Sequence, residues 1–182
     1  MRRDVSGRGM TRRRWCWCLV MTVAILLGIA TVAYPLPWLA VKQGAEWRLA
    51  LPGWAGTTFK IRWMHSVEKE DWEEWYRITA DGAIEITGTR FKTFGAGVPA
   101  HAGKETHLAD GWVVMTGIDR VVDPLAIQAA VAEHYRMIFA GHVIPLSRHD
   151  PPPILTFSVV KAPVWQVLPA LLRPWLPWLN QP

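Results

Sequence analysis

The sequence has almost no cysteine: Cys16 and Cys18 are the only two among 182 residues. Both stand in an apolar run near the N-terminus, so the remainder can build neither a disulfide framework nor a thiolate metal site. Cys-Trp-Cys is also not a zinc-ligand spacing, and no partner ligands lie near it. Acidic residues are scarce in the first 14 positions, where six arginines (Arg2, Arg3, Arg8, Arg12, Arg13, Arg14) face only Asp4. That tail accounts for the formal charge of +5; the rest of the chain holds 14 basic and 14 acidic residues. A neutral body without a basic stripe argues against nucleic acid as a partner. The short loop Gly95-Ala96-Gly97 lacks the Gly-x-Gly-x-x-Gly or Walker context of a following helix. There is no Gly-x-Ser-x-Gly elbow. His101, His107, His134, His142 and His149 are scattered, with no pair four residues apart. The sequence therefore implies no cofactor, no metal site and no assignable catalytic residue.

What the chain has instead is apolar and aromatic. Half of it is hydrophobic and 12 residues are Trp. Residues 15–33 carry no charge, and the apolar character runs on through Val41. About 20 apolar residues suffice for a helix to cross the hydrocarbon core of a bilayer. The arginines ahead of it and the lone Lys42 behind it predict a cytoplasmic N-terminus and an exported body. Trp15 and Trp17 at one end, and Tyr34 and Trp38 at the other, stand where interfacial aromatics are expected. A cleaved signal peptide is the competing reading, with Leu19 to Ala30 as its apolar region and Thr31-Val32-Ala33 as its cleavage site. Retention as a single-pass anchor is preferred, because the apolar stretch continues past that site. Either reading places the body on the outer side of the membrane.

From Ala45 the text becomes short alternating segments broken by Gly and Pro, which predicts an antiparallel β fold. Thr57 to Ser66 alternates, with Phe59, Ile61, Trp63 and His65 on one parity. Asp81-Gly82 and Ala140-Gly141 mark two hairpins. Asp123-Pro124 looks like a helix start, but alternation across Leu125 to Ala129 also permits a strand, and strand is favoured by the pattern around it. The expected class is mostly β: a small antiparallel sandwich or barrel with an N-terminal transmembrane helix and a short apolar C-terminal segment. The expected divisions are a basic tail at 1–14, an anchor or signal segment at 15–41, a β domain at 45–160 and a Pro/Trp-rich segment at 161–182. That last segment is too short and too broken by proline to span a bilayer. It either lies in the headgroup region beside the anchor or caps the β core.

Chemistry-bearing residues concentrate between His65 and Glu74. Strand neighbours project to opposite faces, so Ser66 is out of hydrogen-bond reach of the His65 ring. His65 itself either faces the core or lines a pocket at the strand end, where its ordinary pKa near neutrality is useful. Five acids fall between Glu68 and Glu74, a pattern that is usually a solvated face. The interleaved Trp72, Trp75 and Tyr76 suggest that this segment packs at the edge of the core instead.

His65-Ser66-Val67-Glu68-Lys69, Trp72-Glu73-Glu74 and Arg90-Phe91-Lys92-Thr93-Phe94-Gly95-Ala96-Gly97-Val98-Pro99 together resemble an uncharacterised bacterial family. It is a domain of unknown function often encoded beside subunits of TAXI-type TRAP transporters. The resemblance runs from about Glu46 to Leu146. It implies a small exported β domain associated with solute uptake, and it implies no reaction.

The expected function is a membrane-anchored accessory or ligand-binding protein, with a small solute or TRAP transporter subunits as partners. Its expected surface comprises His65, Ser66, Glu68, Lys69, Glu73 and Glu74 with Gly95, Ala96 and Gly97. The alternatives are a hydrolase using His65 and a carboxylate as acid and base, and a structural envelope protein.

Overall fold

In the computed structural model, which describes residues 8–94, 99, 101–147 and 150–172, the long apolar run is divided in two. Helix α1 spans Arg8–Ala33, and its segment Arg14–Ala33 is long and apolar enough to cross a membrane. The run then leaves the helix and enters strand β1, Leu36–Gln43. The expected 15–41 segment therefore ends early. Trp38 is not an interfacial residue: it is 7% exposed, and its indole N–H donates to the Ala162 carbonyl at 2.8 Å. The physical reason is burial on both faces. Trp38, Leu39, Ala40 and Val41 are all buried, and a strand covered on both sides reads as a continuous apolar run.

The remaining strands are β2 (Glu46–Pro52), β3 (Thr58–Met64), β4 (Asp71–Ile78), β5 (Ile84–Phe91), β6 (Glu105–Ala109) and β7 (Trp112–Val121). They continue with β8 (Leu125–Gln128), β9 (Arg136–Phe139), β10 (His142–Pro145) and β11 (Ile154–Ala162). They form two antiparallel sheets, ordered β2-β1-β11-β8 and β10-β9-β3-β4-β5-β7-β6, which pack as a sandwich. The segment after Asp123-Pro124 is strand β8, followed by a single 3-10 turn at Val131–Glu133.

Alternation decides the core. Leu39 and Val41 of β1 meet Phe59, Ile61, Tyr76, Ile78, Ile84 and Ile86 of the larger sheet. The Phe59 ring stacks on Tyr76 at 5.0 Å and on Phe157 at 6.1 Å, joining the two sheets. On the other face of β1, Trp38 packs with Ala50, Ala162 and two residues of helix α2 (Val164–Leu172), Val167 and Ala170. Helix α2 thus covers part of the outside of the smaller sheet.

At one end of the larger sheet a second cluster forms from Trp72, Phe91, Val113 and Met115, with Trp63 and Ala102 against it. Cross-strand register builds it. Trp63 pairs with Trp72, Trp72 with Phe91, and Phe91 with Val113. The rings of Tyr135, Trp63, Trp72, Phe91 and Phe94 follow one another at 5.3–5.4 Å.

Candidate functional site

The acidic segment divides: Glu68 and Glu70 stand in the turn before β4, while Asp71, Glu73 and Glu74 belong to a central strand. β4 lies between β3 and β5, so alternation sends its side chains to two different environments. Trp72, Glu74 and Tyr76 share a face with the core residues Ile61 and Phe59. Asp71, Glu73 and Trp75 point to the outer face, opposite Met64, Arg62 and Lys60.

Glu73 is the centre of that outer face and is 1% exposed. Arg62 donates to Glu73 Oε2 from Nε at 2.9 Å and from its terminal nitrogen at 2.6 Å. Arg90 donates to the same oxygen at 3.2 Å. Trp75 Nε1 donates to Oε1 at 2.7 Å, and Lys60 reaches that atom at 3.4 Å. Burial alone would raise the Glu73 carboxyl. The hydrogen bonds from Trp75 and Arg62 and the charges of Arg62 and Arg90 outweigh it and bring the pKa down to about 2. Gly88 makes room for Trp75: a Cβ there would meet the indole ring at 2.6 Å and the Met115 carbonyl at 2.9 Å.

The face carries more positive charge than Glu73 neutralises. Arg136 pairs with Asp71 at 3.1 Å beside it. Arg90 and Lys92 lie over the Trp112 ring at 4.5 and 5.0 Å. Lys60, Arg62, Arg90, Lys92 and Arg136 thus face two carboxylates, Asp71 and Glu73. Arg90 Nε sits 3.2 Å from Glu73 Oε1, yet neither it nor Arg136 Nε makes a hydrogen bond, and both atoms are buried. Glu73 and Asp71 hold these guanidiniums in place.

A shallow, open depression adjoins this face at the β3–β4 turn, lined by three acids, Glu68, Glu70 and Asp71, together with His65, Trp72, Phe91, Lys92 and Thr93. Asp71 and Lys92 belong to both the concavity and the charged face. β3 ends at Met64, so His65 and Ser66 are turn residues and strand alternation does not separate them. The His65 N–H donates to the Glu70 carbonyl at 2.8 Å and the Lys69 N–H to the His65 carbonyl at 2.9 Å, with Lys69 in a left-handed conformation. The His65 ring tilts against Trp72 at 5.4 Å, and its Nδ1 accepts the Glu68 backbone N–H at 3.3 Å. The Thr93 hydroxyl donates to Glu68 at 3.4 Å, tying the turn to the segment after β5.

The expected surface is therefore split. His65 and Glu68 line the concavity, while Ser66 and Lys69 are exposed on the same turn. Glu73 anchors the charged face. Glu74 points inward, where burial raises its carboxyl pKa against the opposing hydrogen bond from Tyr76 and the charge of Arg120. It accepts the Tyr76 hydroxyl and takes no part in the outer face. Gly95, Ala96 and Gly97 lie outside the described residues. Sequence reasoning missed Arg62, Arg90, Lys92, Arg136 and Trp112. The available signal was the shared parity of Lys60 with Arg62 in β3 and of Arg90 with Lys92 at the end of β5, the two strands that flank β4. Among the described residues, no group of three or more His, Cys, Asp or Glu is arranged to hold a metal ion.

Both halves of this site come from one stretch of chain. Residues 59–146 match the family model for a domain of unknown function, DUF1850. The DUF1850 match opens in β3 and closes after β10, so it takes in essentially the whole seven-stranded sheet and leaves out β1, β2 and β11. The candidate site lies entirely within the matched stretch. No curated protein and no solved structure matches the chain.

Proposed function

We propose that this chain is a membrane-tethered, non-enzymatic binding protein whose β domain captures an anionic small solute. In this reading α1 is the tether, its N-terminus is cytoplasmic, and the sandwich stands on the periplasmic face of the bacterial inner membrane. One observation carries the ligand class: on the outer sheet face the five cations Lys60, Arg62, Arg90, Lys92 and Arg136 stand against two carboxylates, Asp71 and Glu73. Buried ion pairs lock the guanidiniums in place, so little ordering is spent when an anion docks on them. The resemblance to proteins encoded beside TAXI-type TRAP transporters makes a transporter subunit the partner to test first.

The test uses the full chain in lipid nanodiscs, heated with acetate, succinate, inorganic phosphate or, as a cationic control, spermidine. At least one anion is expected to raise the midpoint of unfolding, and spermidine is not. Arg136→Ala, which removes a half-exposed cation from the rim, should weaken the anion effect several-fold. Equal responses to anions and spermidine, or an unchanged response in Arg136→Ala, overturn the ligand reading. Capture of transporter subunits from native membranes, compared with and without that anion, tests the accessory role.

A further inference from the structure

Helix α2 has two apolar sides, and the described residues cover only one. Val167 and Ala170 are buried on Trp38, Ala50 and Ala162. Trp165, Leu168 and Leu172 on the other side are 63%, 45% and 38% exposed. Val164–Leu172 contains no charged residue. A soluble domain gains nothing by presenting such a surface to water.

The position of the helix says what covers it. β1 begins three residues after Ala33, the last residue of α1, and its first residue, Leu36, pairs with Ala162, the last of β11. α2 starts two residues later, at Val164. The exit of α1 and the start of α2 therefore sit at the same end of the same strand pair, and the two helices touch. A bilayer crossed by Arg14–Ala33 brings its surface to α2. An uncharged helix bearing Trp suits the boundary between headgroups and acyl chains.

We propose that α2 is a second, interfacial membrane contact, with Trp165 and Leu168 facing lipid. The partner is the lipid surface itself. The body is then held at two adjoining points, and the free ends of β1 and β11 stand over the bilayer. The hairpin between β1 and β2 points away from it, because β1 runs eight residues outward from the membrane, about 26 Å. The proposal rests on the tether reading of α1 and is independent of the anion site.

The test uses the full chain with Cys16→Ser and Cys18→Ser, reconstituted in phosphatidylcholine–phosphatidylglycerol vesicles. A single environment-sensitive NBD label is placed through Leu168→Cys or, as the distal control, through Ala45→Cys. The label at position 168 is expected to emit at shorter wavelength and to be quenched at least twofold by lipids carrying a shallow doxyl group. The label at position 45 should be quenched by aqueous iodide alone. Iodide quenching at 168 without doxyl quenching overturns the proposal, and so does protection from both, which would mean a protein cover. A chain that fails to float with the vesicles overturns the tether reading as well, so the two failures are distinguishable.

Discussion

Glu73 and Glu74 are neighbours with identical side chains, and the sheet treats them in opposite ways. Glu73 turns outward into a ring of cations and its carboxyl is held near pKa 2. Glu74 turns inward beside Tyr76, and burial pushes its carboxyl up. Strand alternation alone separates them, since both lie on β4 with the same partner strands. A buried acid is thus not one kind of feature. On the outer face the carboxylate organises three cations, while on the inner face it is a polar group that the core pays to enclose. The outer face, where cations hold the carboxyl pKa down, is also the one with charge left over for a ligand.

The comparison can be broken most severely at Glu73. Glu73→Ala removes the shared acceptor of Arg62, Arg90, Lys60 and Trp75 and should cost about 3–5 kcal/mol in urea unfolding of the full chain in detergent. Gly88→Ala attacks the same face indirectly, by driving Trp75 off its position. It should cost about 2–3 kcal/mol by the same measurement and should raise the Glu73 pKa as the Trp75 hydrogen bond is lost. Trp72→Phe on the inner face keeps an aromatic ring but loses the 2.7 Å bond to the buried Thr89 hydroxyl, and should cost about 1 kcal/mol. Glu74→Gln keeps an acceptor for Tyr76 and discards a charge that burial disfavours, so it should change stability by less than about 1 kcal/mol. A cost for Glu74→Gln as large as that for Glu73→Ala would erase the distinction between the faces.

Much of the β body was legible because its turns declare themselves. Asp81-Gly82 and Ala140-Gly141 provide the left-handed positions their hairpins require, with Gly82 at φ +88° and Gly141 at +81°. β1 was illegible for the opposite reason. Covered by a sheet on one face and by α2 on the other, it has the composition of a membrane span and merges with the one before it. β4 was hidden by its charge: Asp71, Glu73 and Glu74 read as a solvated run until the cations of β3, β5 and β9 are laid beside them. Those cations come from positions as far apart as Arg62 and Arg136, and only register joins them. His65 and Glu68 could be picked out because they share one short turn. The charged face could not, because its residues come from β3, β4, β5 and β9, and β9 is far from the others in sequence.

Acid unfolding of the wild type, Glu73→Gln and Glu74→Gln tests the opposition of the two glutamates most directly. Glu73 has a lowered folded pKa, so the stability it supplies is complete above its ordinary value of 4.5 and is lost as pH falls from there toward about 2. That difference corresponds to about 3 kcal/mol. Glu74 is raised and acts in reverse, costing stability once pH climbs above its ordinary value of 4.5 and relieving that cost on acidification. Urea unfolding at pH 6 and pH 2.5, followed by Trp fluorescence, should therefore show a smaller acid loss in Glu73→Gln than in the wild type and a larger one in Glu74→Gln. Equal acid losses in all three proteins would contradict the account.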